Sequence, residues 1–235
     1  MNKDININRS KPRVVSLVIG LLFTTFCLAA EQSILIANLK AGKPQTVVVY
    51  GTSLTAGGAW VQQLQQALNQ AYPEKAKVMN SGKGAMWSKW GVDNLDKLVI
   101  EKKPDTVLIE FGINDAFLKY NTSVEQAQKN LENMIERILK ANSHCEIILM
   151  VMNPAIGVHL ERRPNLKDYY QMYRDMAKTR KLLLIDHYPN WEKILNSDAD
   201  LFNKYVPDGI HPNAEGCEIV ITPEINKKLG IADKP

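Results

Sequence analysis

The chain has 235 residues, 45% hydrophobic and 23% charged, with 29 basic and 25 acidic side chains. That is the composition of an ordinary globular domain. Much of the basic excess sits at the N-terminus, where Lys3, Arg9, Lys11 and Arg13 face only Asp4. Without residues 1–30 the counts become 25 basic and 24 acidic, and nothing in that remainder looks like a basic stripe of the kind that binds nucleic acid, so no nucleic-acid partner is expected.

After that basic flank, Val14 to Ala30 is apolar apart from Ser16, Thr24 and Thr25, and closes on Leu28-Ala29-Ala30 before Glu31. The run falls short of the roughly 20 residues a membrane span requires. Basic flank, apolar core and small residues at the exit read as a secretory signal peptide over residues 1–30, with an uncleaved N-terminal anchor as the alternative. Cys27 follows the bulky Phe26, which argues against a lipid-modified cysteine. The expected protein is exported, periplasmic or extracellular, with no stable membrane insertion after cleavage. Residues 31–235 then form one α/β domain, in which Cys145 and Cys217 are either a pair or two separate buried thiols. Their spacing does not make a zinc cluster.

In chain order, residues 31–44 read as a short leader. Thr46–Gly51 is a β-branched run and a buried strand. Trp60–Tyr72 has helical periodicity and stops before Pro73. Ala76–Met79 is a short strand, Trp90–Ile100 a helix and Asp105–Phe111 a strand. Val124–Lys140 carries Ala127, Leu131, Met134, Ile135 and Ile138 on one helical face. Glu146–Met152 is a strand, Leu166–Lys178 a helix and Leu182–Ile185 the last strand. Ala214–Lys228 is a helix that Pro223 must kink or interrupt. Alternating strands and helices imply a mostly parallel sheet covered by helices, with the working site beyond the carboxyl ends of the strands.

Four polar motifs fall at those strand ends or before the final helix: Gly51-Thr52-Ser53, Asn80-Ser81-Gly82-Lys83-Gly84-Ala85, Gly112-Ile113-Asn114-Asp115, and Asp208-Gly209-Ile210-His211-Pro212-Asn213. Ser53, at a strand-to-helix junction, is either a helix cap or a nucleophile. A serine hydroxyl needs a base to take its proton, and a histidine base needs a carboxylate to fix its tautomer. His211 and Asp208 are candidates for both, in a loop that Pro207, Gly209 and Pro212 keep from becoming a simple helix; the alternative is a surface turn with a helix cap at Asn213. The backbone N–H of Ser53, an N–H of the Gly84-Ala85 turn and the Asn114 side-chain amide are candidate donors to an oxyanion.

These motifs, in this order, resemble those of the SGNH hydrolases, the GDSL-type esterase and lipase superfamily. DGIHPN is the most specific, followed by GIND and GTSLT. The resemblance implies a flavodoxin-like three-layer α/β/α sandwich with about five parallel strands. It implies Ser53, Asp208 and His211 as catalytic residues, Ser53, Gly84 or Ala85 and Asn114 as the oxyanion hole, and no metal or organic cofactor. Two positions depart from the family pattern. Thr52 stands where the family usually has Asp. The family's oxyanion glycine, five residues after the asparagine of the second motif, falls on Ala85, one residue beyond Gly84.

The expected function is a serine esterase removing short acyl groups, acetyl among them, from a small-molecule or carbohydrate ester. A lysophospholipase or thioesterase of the same fold is the nearest alternative. Metal-dependent phosphoester hydrolysis by Asp115, Asp186, Asp208 and His211 is a different class, without a recognised ligand spacing to support it. A non-catalytic binding module is a third, with Thr52 as its only support. His187 reads as a structural histidine, and His144 and His159 have no evident partner. Lys83, Trp87 and Trp90 are candidates to line a cleft, with Trp90 read as core. Glu161-Arg162-Arg163 reads as a solvated charge run, with binding of an anionic or sugar group as the alternative.

Overall fold

The computed structural model describes Met1 and residues 33–231. The signal-peptide or anchor reading of residues 1–30 lies outside the described residues.

Residues 31–44 are not simply a leader: Ile34–Lys40 is a helix (α1) with Leu35, Ile36 and Leu39 buried. Its start is held by a distant carboxylate. Glu146 accepts hydrogen bonds from Ser33 Oγ at 2.8 Å and from the N–H groups of Ile34 and Leu35 at 3.0 and 2.8 Å. Those N–H groups would otherwise be orphans of the first turn.

Next come strand β1 (Gln45–Gly51), helices α2 (Ser53–Ala56) and α3 (Trp60–Ala71), strand β2 (Ala76–Asn80) and helix α4 (Ser88–Leu98). Strand β3 (Thr106–Glu110), helices α5 (Gly112–Asp115) and α6 (Val124–Ala141) and strand β4 (Glu146–Val151) follow. The chain continues through helices α7 (Val158–Glu161) and α8 (Leu166–Arg180), strand β5 (Leu183–Asp186) and helices α9 (Tyr188–Ser197) and α10 (Ala199–Tyr205). The last helical stretch is broken. Helix α11 (Ala214–Gly216) and helix α12 (Thr222–Leu229) are joined by a π-helical turn over Cys217–Ile221. Pro223 has no N–H to return to the preceding turn, and the wider turn accommodates its ring.

The five strands form one parallel sheet in the order β2-β1-β3-β4-β5. The inner strands are almost wholly buried, as β-branched and aliphatic runs covered on both faces must be. Helices α3 and α12 pack together on one side, and α4, α6 and α8 pack in succession on the other. The apolar face expected of residues 124–140 is the buried face of α6. Among the described residues, no helix is long and apolar enough to cross a membrane.

Strands β1 and β3 are neighbours, but the chain leaves them in opposite directions, towards β2 and towards β4. This is the topological switch point at which parallel sheets open a crevice for ligands. Ser53 follows one of these strands and Asn114 the other.

Candidate active site

Ser53 opens α2, but it is not the helix cap. That task falls to Thr52, whose Oγ1 accepts the N–H of Leu54 at 3.2 Å. Ser53 Oγ lies 2.8 Å from His211 Nε2, and His211 Nδ1 lies 2.6 Å from Asp208 Oδ2. An ionised carboxylate only accepts, so the ring proton sits on Nδ1 and the Nε2 lone pair faces the serine hydroxyl. Oδ1 of Asp208 accepts the N–H groups of Ile210 and His211 at 3.0 and 2.7 Å. Partial burial works against the Asp208 charge, but the His211 N–H, its imidazole and the Ile210 N–H outweigh it and hold the carboxyl at about 2. The Asp208 side chain is 49% exposed, so the pair fixes a tautomer more than it stabilises the fold.

The loop carrying Asp208 and His211 is fastened from two sides. Asn153, just beyond β4, donates its amide to the Ile210 carbonyl at 2.9 Å, and Ile156 N–H donates to the Gly209 carbonyl at 3.0 Å. Gly209 has φ +82°, and a Cβ there would lie 3.0 Å from the Ile156 side chain, so only glycine fits without strain. On the other side, Asn213 caps α11 by accepting the Gly216 N–H.

Beneath the Gly51-Thr52-Ser53 turn lies Glu110, the last residue of β3 and the register partner of Gly51. Its Oε1 accepts the Thr52 N–H and the Thr55 hydroxyl, each at 2.6 Å, and the Thr52 hydroxyl at 3.0 Å. A Cβ on Gly51 would meet that same oxygen at 2.2 Å, which is why a glycine precedes Thr52. Thr52 thus takes the position usual for Asp and acts as a cap tied to a buried carboxyl. Glu110 belongs to none of the four polar motifs. Its signal is one acid closing an otherwise apolar central strand.

Glu110 and Asp115 are both buried, and burial is the main reason each is raised to about 7, against hydrogen bonds from Thr55 and Thr52 in one case and Ser88 in the other. From its ordinary 4.5 up to about 7, folded Glu110 keeps a proton that the unfolded chain has released. Its contribution to stability therefore falls as pH rises through that window. His187 acts in the opposite sense. Burial lowers it to about 3 from 6.5, so stability falls as pH drops through that range. Glu110→Gln cannot titrate. Its stability relative to wild type, from urea unfolding at about pH 5 and about pH 7.5, is expected to rise with pH. A difference that stays constant would contradict this assignment.

The second motif lies against Ser53. A Cβ built on Gly84 would stand 4.0 Å from Ser53 Cβ. Ala85 has φ +58°, in the left-handed region that favours glycine, and its carbonyl accepts the Tyr120 hydroxyl. Tyr120 is stacked on Trp87 at 4.5 Å, so these two rings buttress the turn. Asn114 is buried in α5, with Nδ2 donating to the Met86 carbonyl at 2.8 Å and one amide hydrogen left over. Its Oδ1 accepts from Arg163 at 3.1 Å. Arg163 therefore does not belong to a solvated charge run. Its side chain turns inward and is only 4% exposed.

Other residues named from the sequence fall elsewhere. His187 is buried and takes no part in the hydrogen bonds joining Ser53, His211 and Asp208. Trp90 is half-buried against Tyr50, at 5.9 Å. Asp186 is paired with Arg174 at 2.7 Å and Asp115 accepts the Ser88 N–H, so neither joins Asp208 and His211 in a shared ligand set. Cys145 and Cys217 are two separate, buried free thiols.

A parallel α/β/α sandwich with a serine, a histidine and an aspartate in hydrogen-bonded sequence at its switch point defines a class of hydrolase scaffold. Residues 48–219 match the GDSL-like lipase/acylhydrolase family, and the chain belongs to it. It is a carboxylic ester hydrolase. It is 24% identical, over 77% of its length and 82% of the relative's, to a thioesterase 1/protease 1/lysophospholipase L1 of Escherichia coli. The structure of a lipase/acylhydrolase from Enterococcus faecalis superposes with a TM-score of 0.67 at 26% identity, covering 79% of this chain and 95% of that one. An acetylxylan esterase from Geobacillus stearothermophilus has the same fold, with a TM-score of 0.70 at 19% identity over 82% of this chain and 98% of that one.

Proposed function

We propose that the protein is an exported serine esterase that removes short acyl groups, acetyl among them, from small-molecule or carbohydrate esters. The observation that carries the reading is the unbroken relay from Ser53 Oγ to His211 Nε2 and from His211 Nδ1 to Asp208 Oδ2, at 2.8 and 2.6 Å. Residues 31–235 are the hydrolase domain in this reading, and the N-terminal basic-apolar pattern supports export. No metal or organic cofactor has a part in it.

In the proposed course, Ser53 Oγ attacks the ester carbonyl carbon as its proton passes to His211 Nε2. The oxyanion is held by the Ser53 N–H, an N–H of the Gly84-Ala85 turn and the Asn114 amide. The imidazolium then protonates the leaving alcohol, and the acyl group stays on Ser53. Water, deprotonated by the same Nε2, attacks the acyl-enzyme and releases the acid and the free serine.

A specific observation favours the second reading, a lysophospholipase or thioesterase. A groove of about 450 Å³ beside Ser53 and His211 is walled by Leu54, Pro212, Cys217 and Ile221. Helix α7, which follows the residue bonded to Gly209, exposes Val158 and Leu160. An acetyl group does not need so much apolar wall.

The test is kcat/KM on p-nitrophenyl esters from acetate to octanoate with a chelator present, then on acetylated xylo-oligosaccharides and on lysophosphatidylcholine. Chelator-resistant hydrolysis that is fastest on the short esters, with release of acetate from the oligosaccharide, is the expected result. A steady rise to octanoate with turnover of the lysolipid moves the assignment to the second reading. Failure to hydrolyse any of these substrates contradicts both.

A further inference from the structure

The reaction as described leaves one buried charge without a task. Arg163 comes from the turn after α7 and reaches across to α5. Its Nε donates to the Ile113 carbonyl at 2.7 Å, Nη2 to Asn114 Oδ1 at 3.1 Å and Nη1 to the His159 carbonyl at 3.3 Å. The guanidinium lies over the Phe117 ring at 4.6 Å. All three acceptors are uncharged, and no ion pair among the described residues includes Arg163. Burying a charge without a counter-charge is costly. A surface packing role would be met by a lysine or a methionine at less expense.

What the guanidinium does to Asn114 is more specific. A side-chain amide can be seated two ways, with its N and O exchanged. The Met86 carbonyl only accepts and the guanidinium only donates. One orientation satisfies both: Oδ1 towards Arg163 and Nδ2 towards Met86, at 3.1 and 2.8 Å. The reverse would set oxygen against oxygen and donor against donor in a buried place, where such mismatches are most costly. The flipped amide would also present its oxygen where a donor is wanted. The positive guanidinium donating to Oδ1 further polarises the amide and strengthens its N–H as a donor, an effect that grows as negative charge develops on the substrate.

We infer that Arg163 is a positioning residue for ester hydrolysis: it fixes the Asn114 amide with its N–H groups turned away from Arg163 and strengthens them as oxyanion donors. This rests on the proposed reading of Asn114 as part of the oxyanion hole.

The test is a double-mutant cycle on p-nitrophenyl butyrate, using Arg163→Met, Arg163→Lys and Asn114→Ala, singly and combined, with melting temperatures to confirm folding. Asn114→Ala is expected to lower kcat about 100- to 1,000-fold. Each Arg163 variant is expected to lower kcat about 10- to 100-fold with KM within about threefold, since lysine keeps the charge but not the fork. In the Asn114→Ala background, the same Arg163 changes should cost less than about threefold more, because their effect passes through the amide. Arg163 losses that multiply in full with Asn114→Ala, or that appear only in KM, overturn the inference while leaving the oxyanion reading intact. Full kcat in Asn114→Ala overturns that reading, and this inference with it. Should Arg163→Met fail to fold, Arg163→Lys carries the cycle alone.

Discussion

Ser53→Ala should lose about 10⁵- to 10⁶-fold in kcat on short p-nitrophenyl esters while melting at the wild-type temperature. The loss follows from the chemistry, because the hydroxyl is the group that would carry the acyl chain. The unchanged stability follows from the local structure. The Ser53 hydroxyl bonds His211, whereas Thr52 caps α2 and is itself tied to Glu110. Removing one oxygen at a half-exposed position leaves no buried donor unpaired. His211→Ala should show a similar loss, and the double variant little more than either, since an unactivated hydroxyl and a base without a nucleophile are equally idle. Retention of a tenth or more of the activity in Ser53→Ala would contradict the account.

Asp208→Asn is expected to cost about 10⁴-fold in kcat with the fold intact. Oδ1 accepts two backbone N–H groups from Ile210 and His211, so an asparagine here must keep its oxygen on that side. Its NH₂ then faces Nδ1, which becomes an acceptor. The ring proton moves to Nε2, and no lone pair is left for the serine. In the wild type, Asp208, held at about 2, stays ionised across any ordinary assay range. The Asp208 carboxyl should therefore add no step of its own to the activity profile in that range. A loss of less than about tenfold in Asp208→Asn would mean that the carboxylate does not set the tautomer.

Much of the site could be read in the sequence because its parts lie at ends of elements that local pattern reveals. The β-branched run before Gly51 and the periodicity of residues 124–140 locate β1 and α6, and parallel topology gathers the strand ends. What could not be read depends on partners far along the chain. Helix α1 is short and is completed by Glu146, more than a hundred residues away. Glu110 reaches Thr52 across 58 positions because β1 and β3 are neighbours, a pairing that sequence order does not reveal. Arg163 looks like part of a surface charge run because its acceptors, the Ile113 carbonyl and the Asn114 amide, arrive from another loop. Helices α9 and α10 have no clear local signal in the sequence either. Their cohesion comes from tertiary contacts such as the Trp191–Phe202 edge-to-face pair at 5.8 Å. The Thr52 departure was visible in the sequence, but its meaning was not.

The central claim is that Ser53 is the nucleophile, activated by His211. The most direct measurement treats the protein with an alkyl fluorophosphonate and maps the adduct by peptide mass spectrometry. The account predicts a single adduct on the peptide carrying Ser53, formed with loss of esterase activity and absent from both Ser53→Ala and His211→Ala. An adduct on another residue, or complete inactivation with Ser53 unmodified, would contradict it.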